Sequence, residues 1–221
     1  MKFLKVVMLV GAVVLFMSPA LKAGSVTIDF GNCGQITSLA NCPNVDAGTN
    51  VITYANGGLS VTATGLNIGT NTPENLYVKQ GGAGETGLGT VIDTADHEIT
   101  NQDYVNLDMS NFVANGIFSG TLTLESLQVG EAFEICSGNS NALFGTTCSG
   151  PLGTGAGTFV ANISWTSSDP ILSITGVNNN VAGADVLIGT LTTPTPEPAT
   201  LTLLGLGMFG LAGARRKAAK K

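Results

Sequence analysis

Acidic side chains that could bind a cation cluster between residues 93 and 108. Asp93, Asp96, Glu98 and Asp103 stand close together in the sequence, with His97 among them. Neighbouring carboxylates repel one another unless a proton or a cation intervenes. Oxygen ligands from a loop suit Ca²⁺, although the spacing does not match an EF-hand. The simplest interpretation is a solvated acidic loop between two strands. The alternative is a calcium site formed by Asp93, Asp96, Glu98 and Asp103.

Catalytic chemistry finds little support in the sequence. His97 is the sole histidine, and a serine or cysteine mechanism would need it as the base. A loop histidine between two acids is more typical of a surface position, and no nucleophile-elbow motif occurs. A carboxylate pair of the glycosidase kind requires tertiary proximity, which linear spacing does not reveal. We therefore predict no catalytic residue, no enzyme and no cofactor apart from the calcium alternative.

Four cysteines form two pairs that are close in sequence. Cys33 and Cys42 are nine residues apart, and Cys136 and Cys148 are twelve apart. Without a CxxC motif and with one histidine, the chain offers little for a cysteine metal site. In an exported protein we expect disulfides within each local pair, while the other connectivities stay open. Each loop would stabilise the fold by about 2.5–3 kcal/mol in the chain-entropy estimate.

Charge is strongly segregated along the 221 residues. Residues 24–196 contain fourteen of the fifteen acidic residues but a single cation, Lys79, whereas the other eight cations lie near the two ends. An acidic body of this kind repels nucleic-acid phosphates and anionic lipids, so neither is an expected partner. The composition, with 30 glycines and 11% charged residues, also excludes a coiled coil or a disordered acidic tail.

Residues 1–23 are typical of a secretory signal peptide. A basic start at residues 1–5 precedes twelve apolar or glycine residues at 6–17, and small residues then lead to Ala23. Twelve helical residues rise about 18 Å, which is less than a bilayer core of about 30 Å. This pattern predicts a signal helix that signal peptidase removes after Ala23, or alternatively after Ala20.

The C-terminal region has the pattern of a membrane anchor. A proline-rich linker at residues 194–198 precedes sixteen apolar or small residues at 199–214, and a basic tail follows at 215–221. Such a run forms a short membrane-spanning helix, which the cations after it hold on the cytoplasmic side. The body would then face the outside, in agreement with the signal peptide.

The same C-terminal residues resemble a known sorting signal. Pro196, Glu197 and Pro198, the glycine-rich apolar run, and Arg215, Arg216 and Lys217 occur in the order of the PEP-CTERM signal of Gram-negative bacteria. The resemblance implies that exosortase, a membrane transpeptidase, recognises and processes the tail, leaving the protein in the cell envelope or outside the cell. It also implies a host that makes extracellular polysaccharide.

The body, residues 24–193, reads as short strands separated by turns. Apolar and polar residues alternate in runs bounded by Gly and Asn clusters, and no helical period is sustained. The predicted strands cover residues 25–30, 51–54, 59–64, 75–79, 104–109, 117–128, 131–136, 158–165, 171–175 and 184–192. We therefore predict an all-β fold, a single antiparallel β-sandwich of jelly-roll type, with Trp165 in its core.

Together these features predict an exported surface or matrix protein that is structural or adhesive within an exopolysaccharide layer. Its expected partners are signal peptidase, exosortase and exopolysaccharide, and it meets the membrane through the C-terminal segment alone. Two alternatives remain open: a secreted glycan hydrolase and a calcium-stabilised carbohydrate-binding module.

Overall fold

The alternation of apolar and polar residues in the body produces strands throughout its described residues. A computed structural model of the protein describes residues 24–37, 45–81, 85–92, 96–139, 147–153, 157–177 and 185–194. The predicted signal peptide, the Pro-Glu-Pro tripeptide, the apolar C-terminal run and the basic tail lie outside these residues. Within them, no helix is both long and apolar enough to cross a membrane.

Thirteen strands account for most of the described residues, and helix is nearly absent from them. A single short helix, α1, covers Ser110–Ala114, and a 3₁₀ turn covers Cys33–Gln35. The strands are β1 (Ser25–Asp29), β2 (Val45–Asp46), β3 (Val51–Asn56), β4 (Leu59–Asn67), β5 (Leu76–Lys79), β6 (Gly87–Thr90), β7 (Asp103–Asp108), β8 (Ser119–Leu127), β9 (Ala132–Gly138), β10 (Thr147–Cys148), β11 (Gly157–Ser164), β12 (Ile171–Val177) and β13 (Leu187–Pro194).

The strands form two antiparallel sheets. Sheet 1 has the order β11-β8-β13-β6-β5-β2, with β1 also paired to β13, and sheet 2 has the order β10-β9-β12-β7-β4-β3. In sheet 1, Ser25 pairs with Pro194 and Asp29 pairs with Thr190. The first and last strands of the body therefore lie side by side, and both ends of the body emerge at the same end of sheet 1.

Alternate side chains of both sheets are buried in one hydrophobic core. Tyr54 and Val61 of sheet 2 belong to the same cluster as Leu122, Leu124 and Leu191 of sheet 1. This arrangement follows from the period-2 pattern, which turns every second side chain to the same face of a strand. Two antiparallel sheets around one core agree with the predicted all-β class.

The large aromatic residues lie mostly inside this core. Trp165 is buried and its Nε1 donates to Ile117 O at 2.9 Å, so its predicted core position is confirmed. Tyr54 is also buried and donates its hydroxyl to Phe30 O at 3.0 Å. A buried aromatic with a satisfied polar tip stabilises the core, and these rings offer no exposed platform for stacking sugars.

All ten predicted strands overlap observed ones, whereas three observed strands were not predicted. The two-residue strands β2 and β10 are too short to give a pattern. In β6, Gly87 and Gly89 make the strand hard to recognise in the sequence, because glycine has a low β propensity. Their role is steric: a Cβ on Gly87 would lie 2.6 Å from Ile188 O, and one on Gly89 would collide with His97 O.

Candidate functional site

The acidic segment found in the sequence is folded into the protein beside β6 and β7. Ile99 forms an isolated bridge with Val186, which ties the segment to the start of β13. Glu98 is 3% exposed and Asp103, the first residue of β7, is fully buried. The interpretation of a solvated loop is therefore wrong for these two carboxylates, because Glu98 adjoins the bridged Ile99 and Asp103 lies in β7, paired with Asn67 of β4.

Glu98 is held by one cation and one hydroxyl. Its Oε1 accepts from Lys79 Nζ at 3.2 Å and from Ser126 Oγ at 2.5 Å, while Oε2 is buried and has no hydrogen-bond partner among the described residues. Burial raises the pKa of Glu98 to about 7, against the lowering effects of the Ser126 and Lys79 contacts, and the nearby Asp185 raises it further. Glu98 therefore changes its charge near neutral pH.

Lys79 connects this buried carboxylate to the surface. Its Nζ also lies 3.0 Å from Glu85 Oε2, and its side chain is 14% exposed whereas that of Glu85 is 48% exposed. Burial lowers the pKa of Lys79, but the contacts with Glu85 and Glu98 outweigh it and raise the pKa overall. The lone cation of the acidic body thus lies against one of its buried acids, Glu98.

Asp103 is held by hydroxyls and an amide. Its Oδ1 accepts from the backbone N and from Oγ1 of Thr100, both at 2.7 Å, and its Oδ2 is bonded to Thr90 Oγ1. Burial raises the pKa of Asp103 to about 6 despite these bonds. Thr90 Oγ1 also donates to Glu98 O at 3.0 Å. Since a hydroxyl has one proton, both Thr90 contacts are satisfied when Asp103 carries a proton.

His97 is half-buried beside this cluster. Its ring stacks on Tyr77 with centroids 4.0 Å apart, and its backbone has a φ of +59°. Nδ1 is buried with no hydrogen-bond partner, so no described serine or carboxylate orients the imidazole through that atom. The contact with Tyr77 holds this ring by stacking.

The predicted calcium ligands have different surroundings. Asp93 lies outside the described residues and Asp96 is exposed, whereas Glu98 and Asp103 are occupied by the contacts given above. Among the described residues, one group of three ligand-type side chains lies within 4.8 Å, formed by Glu134, Cys136 and Cys148. Its two sulfurs are joined in a disulfide and are not thiolate ligands. The calcium site remains a prediction.

The disulfide expectation is confirmed for one pair. Cys136 is bonded to Cys148, and the two residues face each other across β9 and β10. Cys33 is also disulfide-bonded, while its expected partner Cys42 lies outside the described residues. The Cys136–Cys148 bond fixes the two-residue strand β10, which has little pairing of its own.

A groove of about 240 Å³ lies beside this disulfide. It opens between β9 and β10 of sheet 2 and β11 of sheet 1, and its lining carries no charge. The lining residues are Ile135, Ser137, Thr147, Cys148, Ser149, Leu152, Ala161, Asn162, Ile163, Ser164 and Leu172.

Sequence reasoning missed the partners that make the acidic cluster stable. Thr90, Thr100 and Ser126 come from three separate segments and carry no motif. Lys79 did give a signal, because a single cation in an acidic body must lie near several carboxylates. The sequence-predicted sorting residues, Pro196, Glu197, Pro198, Arg215, Arg216 and Lys217, lie outside the described residues.

Comparison with known families identifies the C-terminal signal. Residues 194–217 match the PEP-CTERM protein-sorting motif, which begins at the last residue of β13. No curated protein and no solved structure matches the chain, so the body has no assigned family. A PEP-CTERM motif implies that exosortase sorts this protein and that it is exported and associated with the cell envelope.

Proposed function

We propose that this chain is a jelly-roll-like β-sandwich protein with a structural or adhesive role in an exopolysaccharide layer. Export and sorting follow from the C-terminal motif. The role in the layer is supported by one observation, a regular polar surface on the outer side of sheet 1.

This surface, named here the hydroxyl face, is built from side chains opposite to the buried leucines of β8 and β13. Thr27 pairs with Thr192, which pairs with Thr121, which pairs with Asn162. The hydroxyls of Thr27 and Thr192 are 3.0 Å apart. A second row beside it contains Thr123 and Thr190.

The spacing of these rows suits a neutral, hydroxylated polymer. Neighbouring strands lie about 4.8 Å apart and successive outward residues about 6.8 Å apart, so donors and acceptors repeat regularly over four strands. Each hydroxyl can donate one hydrogen bond and accept two, as sugar hydroxyls do. A face that makes many weak polar contacts favours adhesion to a polymer over tight capture of a small ligand.

The alternative, a secreted glycan hydrolase, has weaker support. Two carboxylates with raised pKa values would suit acid–base chemistry, but they must both face a cleft that admits a sugar. Glu98 and Asp103 are buried and bonded to Lys79, Ser126 and threonine groups. These contacts favour a role of the cluster in stabilising the fold.

Sorting is tested through the tripeptide. We expect Glu197→Ala to leave the tail unprocessed, so that the protein accumulates in the inner-membrane fraction at a higher mass. Thr195→Ala, which leaves the tripeptide intact, is the control and should be processed normally. Unchanged processing of Glu197→Ala would contradict the sorting step.

Adhesion is tested on the hydroxyl face. We expect Thr192→Val to reduce co-sedimentation of the processed protein with the neutral polysaccharide of its host, because it removes the hydroxyl at the centre of one row. Thr62→Val is a matched control, since Thr62 forms the same kind of hydroxyl pair with Thr53 at 3.0 Å on sheet 2. Equal binding by both variants and the unaltered protein would refute the adhesive role without affecting the sorting step.

A further inference from the structure

The outer edge of β11 is a long strand edge without a partner among the described residues. β11 pairs with β8 on one side and ends sheet 1 on the other. A bulge between Gly157 and Phe159 is confined to its start, and the register is regular from Phe159 to Ser164. A free strand edge presents unpaired N–H and C=O groups to any chain that can approach it.

Other edges of the two sheets are shortened or covered. β2 and β10 have two residues each. β3 is met by the bridge between Ile36 and Tyr54, and Asn56 Nδ2 donates to Thr27 O of β1 at 2.8 Å. Natural proteins also protect edges with charges or proline, but β11 contains neither.

The charge distribution indicates which partner fits this edge. No charged residue occurs from 135 to 168, and this stretch supplies β11 and most of the lining of the adjacent groove. The rest of the body is strongly acidic, so two copies repel each other over most of their surfaces. They can approach most closely where both are uncharged.

We propose that β11 pairs with β11 of a second copy of this chain, antiparallel about a two-fold axis. Such a contact is self-complementary, as two-fold symmetry requires, and it joins the two copies of sheet 1 into one continuous sheet. Centring the axis on Val160 pairs Phe159 with Ala161 of the other copy. It also places the two Val160 side chains, each 60% exposed, next to each other.

This pairing is a property of the edge and goes beyond the adhesive role of the hydroxyl face. One strand pair buries less area than a standard interface, so the dimer is weak and depends on concentration. A protein held densely on a cell surface would populate it. The outward threonines of both copies would then lie on one extended face.

The test measures self-association of the processed protein collected from the cell surface. Analytical ultracentrifugation over a wide concentration range should show a monomer–dimer equilibrium. Val160→Glu places two carboxylates side by side and should raise the Kd at least about tenfold. Val129→Glu is the matched control, because Val129 is 76% exposed in the turn after β8, and it should dimerise normally. Circular dichroism should show the same fold for both variants.

A second variant gives a positive signal. Directly opposed residues have Cβ atoms about 5 Å apart, so Val160→Cys should form a disulfide-linked dimer on mild oxidation, whereas Val129→Cys should not. A monomer at every concentration, or a Val160→Glu variant that dimerises as well as the unaltered protein, would overturn the proposal. A monomer whose polysaccharide binding is lost in Val160→Glu would also overturn it, and would assign the edge to a glycan chain.

Discussion

At the scale of single residues, the charges of Glu98, Asp103 and Lys79 control how the stability of the body varies with pH. Burial disfavours the ionised form of both carboxylates, and the contacts they make offset this only in part. Within the part of the chain that the structure describes, Lys79 is the single opposite charge within hydrogen-bond distance of Glu98. Because a buried charge without a counter-charge is costly, stability depends on this one lysine.

We expect Lys79→Met to lower the free energy of unfolding by about 3 kcal/mol at pH 8, because ionised Glu98 then has no cation. The loss should be smaller at pH 5, where Glu98 carries a proton. Urea unfolding at both pH values measures the difference. Glu85→Gln removes the more exposed partner of Lys79 and should cost less than about 1 kcal/mol. An equal loss at both pH values would contradict the assigned role of Glu98.

Because their pKa values are raised, Glu98 and Asp103 contribute more to the stability of the folded state in acid than at neutral pH. The folded state holds protons that the unfolded chain releases at its ordinary pKa values of 4.5 and 3.8. The stability from Glu98 and Asp103 is complete below these values and is lost as the pH rises through about 6 and 7. Between pH 4.5 and 8, the contribution of Glu98 lowers the free energy of unfolding of the unaltered protein. Glu98→Gln lacks this titrating group, so we expect its free energy of unfolding to fall by about 3 kcal/mol less over the same range. Parallel pH profiles would refute this linkage.

At the scale of elements, β6 shows how glycine positions the acidic segment. The backbone at His97 passes directly over Gly89, and the backbone of β13 at Ile188 lies against Gly87. Leu88 between them is fully buried. Two positions without a side chain therefore let two neighbouring segments approach the strand, and this brings Glu98 within reach of Lys79.

Gly89→Ala should disrupt this approach. The added Cβ would collide with a backbone oxygen, which cannot rotate away as a side chain does. We expect a loss of about 2 kcal/mol or more in the free energy of unfolding. Gly34→Ala is the control, because its Cβ would meet only the side chain of Asn32, at 3.2 Å. Similar stability of the two variants, measured by urea unfolding, would show that the segment can move away from β6.

At the scale of the whole molecule, β1 pairs with β13, the last strand of the body. Sheet 1 is therefore complete only after β13 has been synthesised. Thr190–Pro194 supplies the entire register of β1, while Leu187, Ile188 and Leu191 of β13 are fully buried. The sorting motif begins at Pro194. Processing beyond this residue therefore leaves every strand of the body intact.

Truncation tests this closure. A chain ending after Gly189 lacks the partners of β1 and the core residue Leu191, and we expect it to be unfolded and rapidly degraded, because these losses are comparable to a typical domain stability of 5–15 kcal/mol. A chain ending after Pro194 should keep the fold. Limited proteolysis of both exported chains makes the comparison. Equal resistance to protease would mean that β13 is dispensable beyond Gly189.

Local patterns in the sequence determined much of this protein. Ten strand positions, the core position of Trp165, the Cys136–Cys148 disulfide and the sorting motif were all predicted, because each depends on residues near one another in the chain. Alternation positions a strand, a short loop favours a local disulfide, and a sorting signal is read as a linear peptide. The signal peptide and the membrane-spanning run stay predictions.

Contacts between distant segments were decided only in the tertiary structure. The burial of Glu98 depends on Lys79 and Ser126, the strand β6 depends on its neighbours, and the pairing of Ser25 with Pro194 joins the two ends of the body. No spacing rule relates such residues, because the free energy that brings them together comes from the shared core and the sheet register. The long edge of β11 likewise exists only because the order of strands in sheet 1 places it last.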